Sequence, residues 1–143
     1  MFKTKIIFFF VKKFIILNKM KIAVPSNDNK TVSAHFGRTK GFVFFEIENN
    51  EILKKSYKEN KCTGHAKHEV HEHGSHEHSH VGIFQALGDC KVVIAGGMGK
   101  RLYNDFQKEK IEVFVTKEKN IDKAIELFLS KKLDNNSHIC CSH

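Results

Sequence analysis

The run Val92–Ala95 passes directly into Gly96-Gly97-Met98-Gly99, and this junction restricts the fold more than any other stretch of the chain. Four consecutive apolar residues suit a parallel strand buried on both faces. The glycines allow a tight turn into a helix that points Leu102 and Phe106 inward. Ile111–Val115 supplies a further strand. Asn120 can cap a last helix, with Ile121, Ile125, Phe128 and Leu129 in one apolar stripe. Strands alternating with helices in this way indicate an α/β domain.

Upstream, Lys21–Pro25 reads as a short strand ending at the only proline, and Asn27, Asp28 and Asn29 as a turn-rich loop. In Phe42–Glu48, Val43, Phe45 and Ile47 share one face, while Phe42 and Phe44 give way to Glu46 and Glu48 on the other. Asn49-Asn50 predicts a hairpin into Glu51–Lys58, whose Lys54 and Lys55 suit an exposed edge. Val81, Phe84 and Leu87 recur at helical spacing before a stop at Gly88. The element order β-β-β-α-β-α-β-α gives a five-stranded mixed sheet of order 3-2-1-4-5, with strand 2 antiparallel and helices flanking it. The strand order reverses between the first and fourth strands. Open α/β sheets bind ligands at such a reversal, outside the carboxyl ends of the strands. The loop Ser26–Arg38 and the turn Gly96–Gly99 both leave the sheet there.

A formal charge of +8 raises nucleic acid or an anionic membrane as partner. Lys3, Lys5, Lys12, Lys13 and Lys19 carry five of those charges within residues 1–19. Residues 20–143 lack basic patches interleaved with aromatics, so no nucleic-acid partner is expected. The apolar, basic leader 1–19 is too short and too broken by lysines to span a membrane, and it has no signal-peptide cleavage site. Two readings of it stay open: a membrane-surface anchor, and upstream sequence ahead of a start at Met20. The domain proper is expected at 20–133, with a polar, His-rich loop at 59–80 and a Cys/His tail at 134–143. Four cysteines without an export signal point to a reducing, cytoplasmic compartment.

His35-Phe36-Gly37-Arg38 falls in the first crevice loop. It pairs an imidazole with a fixed cation that can fork onto an anion, and Gly37 permits close backbone approach. The second segment opens a helix with Lys100 and Arg101 in its first turn, a setting that favours anions. Neither the dinucleotide fingerprint nor the P-loop is complete, because Leu102 and Arg101 stand where those motifs need Gly and Ser or Thr. A turn that needs glycine for its backbone alone is an equal reading.

Seven of the ten histidines lie between 65 and 80: His65, His68, His71, His73, His76, His78 and His80. Imidazoles at this density can hold Zn, Ni, Cu or Fe in several geometries, or bind metal only incidentally as a biased insertion. The formal H-E-x-x-H at His76–His80 follows from that density rather than from a protease helix. The tail His138-Ile139-Cys140-Cys141-Ser142-His143 gathers two thiols and two imidazoles, and Cys62 can add a third thiolate. Cys90 precedes a buried strand and reads as packing. No nucleophile triad or catalytic carboxylate pair stands out. The expectation is a binding protein, not an enzyme.

Four stretches together carry a family resemblance: Met20–Pro25, Val32–Arg38 with its H-F-G-R element, Val93–Gly99 with its G-G-M-G turn, and Ile111–Val115. Over about Met20–Leu133 the chain resembles the dinitrogenase iron–molybdenum cofactor biosynthesis domain of the NifX/NafY type, also found at the end of NifB and as small stand-alone proteins. The resemblance implies a ribonuclease H-like motif and a non-catalytic protein that binds iron–sulfur or molybdenum–iron–sulfur clusters. It also implies partner proteins that donate or accept the cluster. By motif, His35 is the leading cluster ligand, within a cargo-binding set of His35, Phe36, Gly37, Arg38, Gly96, Gly97 and Gly99. The His-rich insertion and the Cys-Cys-Ser-His tail go beyond the minimal domain. They support a second reading, a metal buffer or metallochaperone for Zn, Ni or Cu.

Overall fold

The structure is a computed structural model that describes residues 19–61 and 80–139. The elements run β1 (Lys19–Ser26), β2 (Gly41–Glu48), β3 (Glu51–Glu59), α1 (Val81–Leu87), β4 (Val92–Ala95), α2 (Lys100–Lys108), β5 (Glu112–Val115) and α3 (Ile121–Leu129). They form one five-stranded sheet of order β3-β2-β1-β4-β5. β2 pairs antiparallel with both β1 and β3, while β1, β4 and β5 are parallel. The order and the antiparallel second strand are those expected from the sequence, in keeping with a ribonuclease H-like topology.

The hairpin turns where Asn49-Asn50 predicted it. Both residues have positive φ, 52° and 65°, as a tight two-residue turn between twisted strands requires. β1 begins at Lys19, two residues before the expected Lys21, because Lys19 and Met20 still find partners in Glu48 and Ile47.

β2 separates two cores. Phe42 and Phe44 join Val93, Leu87, Leu102 and Phe106 on the face covered by α1 and α2. Val43, Phe45 and Ile47 join Ile94, Ile121, Ala124 and Ile125 on the face covered by α3. Both faces of β4 are therefore buried, which is why its sequence shows no alternation. β3 is the open edge, with Ile52 and Leu53 exposed beside Lys54 and Lys55. The expectation for α1 needs one correction. Val81 is 58% exposed, and Ile83, Phe84 and Leu87 make the inward face instead. Val81 is the first residue of a helix of only seven residues. Among the described residues no helix is long and apolar enough to cross a membrane.

Candidate functional site

The loop after β1 is built around Asp28. Its carboxylate accepts from the backbone N–H of Thr31 (2.7 Å) and Lys30 (2.9 Å), from the Thr31 hydroxyl (2.9 Å) and from the Ser26 hydroxyl (3.2 Å). These bonds, the Thr31 N–H foremost, bring its pKa down to about 2. The rigid turn presents the next residues to two neighbours at once. On one side Val32 N–H donates to the Lys119 carbonyl (2.8 Å), and Ile121 N–H donates to the Lys30 carbonyl (3.1 Å). Asn120, between them, caps α3 by accepting from Lys123 N–H, as its sequence position predicts.

On the other side the loop closes onto the glycine turn. Gly96 N–H donates to the Ser33 carbonyl (3.1 Å), and Phe36 N–H donates to the Gly97 carbonyl (3.2 Å). A Cβ on Gly96 would stand 2.8 Å from the Ser33 oxygen, and one on Gly97 would stand 2.6 Å from the Ala34 oxygen. Both distances are too short for real side chains, so these two glycines are required by the approach of one backbone to another. Gly99 and Gly37 differ, since no atom lies within 4 Å of a Cβ built on either. The close approach expected at Gly37 is therefore not made by the protein's own backbone. Gly99 is the N-cap of α2, followed by exposed Lys100 and Arg101.

His35 and Phe36 point to opposite fates. Phe36 is 1% exposed, with its ring centroid 5.3 Å from that of Phe42 and 5.4 Å from that of Phe106. Its side chain anchors the loop in the core and is not available to a cargo, which corrects the expectation that it belongs to the contact set. His35 precedes the short 3-10 turn Phe36–Arg38 in extended conformation and is exposed, as are Gly37 and Arg38. The buried phenyl thus fixes where the imidazole emerges.

Beside this point lies a groove of about 420 Å³, lined by Thr31, Val32, Ala34, Gly96 and the segment Thr116–Lys119. It sits outside the carboxyl ends of β1, β4 and β5, where the reversal of strand order places a ligand. Lys117 and Lys119 against Glu118 leave its wall cationic. Gly97 and Gly99 border the loop and the helix start without lining the groove. A larger, mostly apolar groove of about 760 Å³ lies at the amino ends of the same strands, with Glu112 and Lys131 among its lining residues.

The segment after α3 is not a free end. Asp134 accepts from the Thr116 hydroxyl and from Lys117 N–H (2.9 Å). Asn135 accepts from Val115 N–H and donates to the Val113 carbonyl, both at 3.2 Å. Asn136 N–H donates to the Val115 carbonyl at 2.7 Å. Burial pulls the Asp134 carboxyl upward, but the bonds from Thr116, Lys117 and Asn136 outweigh it and leave it below the usual range. This clasp covers the β5 edge and brings His138, which is exposed, beside the strand whose continuation lines the groove.

Cys62, His65, His68, His71, His73, His76, His78, Cys140, Cys141 and His143 lie outside the described residues. His80 is described, with Nδ1 2.6 Å from Asp105 Oδ2. That contact holds the Asp105 carboxyl below its ordinary pKa. Cys90 is buried in the core, and burial pushes its thiol up to about 11, as a packing role requires. Among the described residues no three His, Cys, Asp or Glu side chains are grouped to hold a metal ion. Sequence reasoning did not single out Lys117, Lys119 or Asp134. The first two could have been found by following the fifth strand to its carboxyl end. The third left no periodic signal.

Comparisons with known proteins agree with this architecture. Residues 18–131 match the family model described as dinitrogenase iron-molybdenum cofactor. An uncharacterized protein of Methanocaldococcus jannaschii, MJ0580, is 34% identical over 122 residues, covering 85% of this chain and 96% of that protein. The crystal structure of PH0822 is similar at TM-score 0.60 and 29% identity, covering 82% of this chain and 95% of its own. MJ0327 of Methanocaldococcus jannaschii, at TM-score 0.62 and 22% identity over 85% and 98% of the two chains, shares the fold. The extent of the family match, together with the 34% identical relative, shows that this chain belongs to the dinitrogenase iron–molybdenum cofactor family, whose NifX/NafY-type members are non-catalytic.

Proposed function

We propose that the protein is a carrier that holds a preformed, anionic metal–sulfide cluster, of iron–sulfur or molybdenum–iron–sulfur type, at the groove beside His35. The observation that supports this most is the division of labour in the H-F-G-R element. Phe36 is locked in the core, so His35 emerges at one fixed place next to a lysine-lined groove at the strand ends. A single imidazole among fixed cations suits a cargo that arrives complete, carries negative charge and must leave again. Arg38 and the exposed N–H groups at the start of α2 add attraction for the same charge.

The missing soft ligands are assigned to the tail. Thiolates are the usual ligands of iron–sulfur cores, and Cys140 and Cys141 follow directly on the segment that Asp134–Asn136 fastens beside the groove. Cluster donor and acceptor proteins are the implied partners. The His-rich loop takes a subsidiary part, buffering Zn, Ni or Cu through Cys62 and His65–His80, with His143 and His138 as further donors at the tail.

Metal and acid-labile sulfide analysis after anaerobic purification tests this reading. A carrier contains iron or molybdenum together with sulfide and is coloured. Several zinc or nickel ions in a colourless protein without sulfide would replace it with the metal-buffer reading.

A further inference from the structure

The wall of the groove made by Thr116–Lys119 is held in two different ways. Its ends are tied by main chain: Thr116 N–H donates to the Ala95 carbonyl at 2.9 Å, and the Lys119 carbonyl accepts from Val32 N–H at 2.8 Å. Its middle is held by side chains. Lys117 N–H donates to Asp134 Oδ2 at 2.9 Å, and Glu118 N–H donates to Thr116 Oγ1 at 3.0 Å. The Thr116 hydroxyl, on a buried residue, donates in turn to Asp134 Oδ1. Both peptide N–H groups therefore lead back to one carboxylate. Asn136 Nδ2 adds a further bond to it at 2.6 Å. An ionised carboxylate only accepts, and hydrogen bonds to it are stronger than those between neutral groups. The salt bridges among the described residues are Lys21–Asp89, Lys55–Asp122 and His80–Asp105, and Asp134 takes part in none of them. It grips Lys117 by the backbone and does not draw the exposed ammonium away from the groove.

We propose that Asp134 is a positioning residue of the cargo groove, bracing the Thr116–Lys119 wall from outside so that Lys117 and Lys119 are set before an anion arrives. The inference rests on the cargo reading and deepens it. Groups already fixed on folding bind more strongly, because no loop has to be ordered when the ligand enters. Asp134 lies after residue 131, where the family match ends, so it is none of the matched positions. The claim is opposite in sign to simple electrostatics. A carboxylate beside a cationic groove repels an anion, so charge alone predicts that Asp134→Asn tightens anion binding. Positioning predicts weaker binding. Whichever way the Asn amide turns, its one oxygen replaces two acceptors, and the middle of the wall loosens.

The test uses full-length native, Asp134→Asn and Thr116→Val proteins, with a melting curve recorded for each. Thr116→Val leaves the charge unchanged and removes the hydroxyl that joins Glu118 N–H to Asp134. In cargo-free protein, the Lys117 and Glu118 amides of Asp134→Asn should exchange hydrogen at least about tenfold faster than in native protein, while those of Val93 and Ile94 keep their protection. The Glu118 amide of Thr116→Val should behave in the same way. The binding probe is a chemically prepared, sulfide-containing iron cluster, added anaerobically at low ionic strength and well below the melting temperature. Both variants should bind it at least about fivefold more weakly than native protein. Unchanged exchange at Lys117 and Glu118 overturns the proposal. So does faster exchange that extends to Val93 and Ile94, which makes Asp134 a support of the whole sheet. Equal or tighter binding by Asp134→Asn overturns this inference alone, since charge then outweighs position. A native protein that takes up no cluster overturns the cargo reading and this inference with it.

Discussion

Two neighbouring substitutions, Phe36→Ala and His35→Ala, should give opposite results. Phe36 is 1% exposed and in ring contact with Phe42 and Phe106. Burying roughly 200 Å² of phenyl at about 25 cal/mol per Å² is worth about 5 kcal/mol, the upper end of the range of about 3–5 kcal/mol for such truncations. The site lies under a surface loop that can partly collapse into the cavity, so the expected loss is about 3 kcal/mol. Set against a domain stability of about 5–15 kcal/mol, the variant still folds. Its urea midpoint should fall by roughly 1–3 M for a slope of about 1–3 kcal/mol per M. His35 is exposed and its replacement should shift stability by no more than about 0.5 kcal/mol. Urea titrations followed by circular dichroism read both. A loss below about 1 kcal/mol for Phe36→Ala would refute the reasoning, because the phenyl would then not be what fixes the loop.

Further outcomes follow from the same geometry. Gly97→Ala places a Cβ 2.6 Å from the Ala34 carbonyl oxygen and should cost about 1–3 kcal/mol by overpacking, whereas Gly37→Ala, facing open space, should be tolerated in the same thermal melts. The folded pKa of Asp28, about 2, lies below its ordinary 3.8, so its contribution to stability is complete above that ordinary value and is lost as pH falls towards 2; acid titration of Asp28→Asn should show a flatter stability profile in that window, and an unchanged profile contradicts the assignment. Cys140→Ser with Cys141→Ser should speed release of a bound cluster while leaving the melting curve unchanged, and equal release rates from the two proteins would remove the tail from the site.

The fold was legible in the sequence where burial leaves a pattern. The unbroken Val92–Ala95, the asparagine pair at the hairpin and Asn120 before an apolar stripe each correspond to one physical requirement, and each element stands where that requirement put it. Val81 misled because helical spacing alone cannot say which turn first touches the sheet. The crevice could be located in advance from strand order, but its wall could not. Lys117 and Lys119 resemble any surface lysines until β5 sets them opposite the Thr31–Val32 segment. The Asp134–Asn136 clasp was illegible for another reason. Its side chains substitute for a sixth strand's backbone, and side-chain-to-backbone pairing has no periodicity. Phe36 shows the same limit in reverse, since a motif names four adjacent residues without saying that one of them faces the core.

The central claim is that His35, held outward by the buried Phe36, binds a cluster cargo. The most direct test is the affinity of full-length native and His35→Ala protein for a chemically prepared, sulfide-containing iron or molybdenum–iron cluster, measured anaerobically by absorption, with melting curves recorded on the same samples. The account predicts that the variant loses at least about tenfold in affinity, roughly 1.4 kcal/mol, while its melting curve overlays that of the native protein. Equal affinity in the two proteins would contradict it.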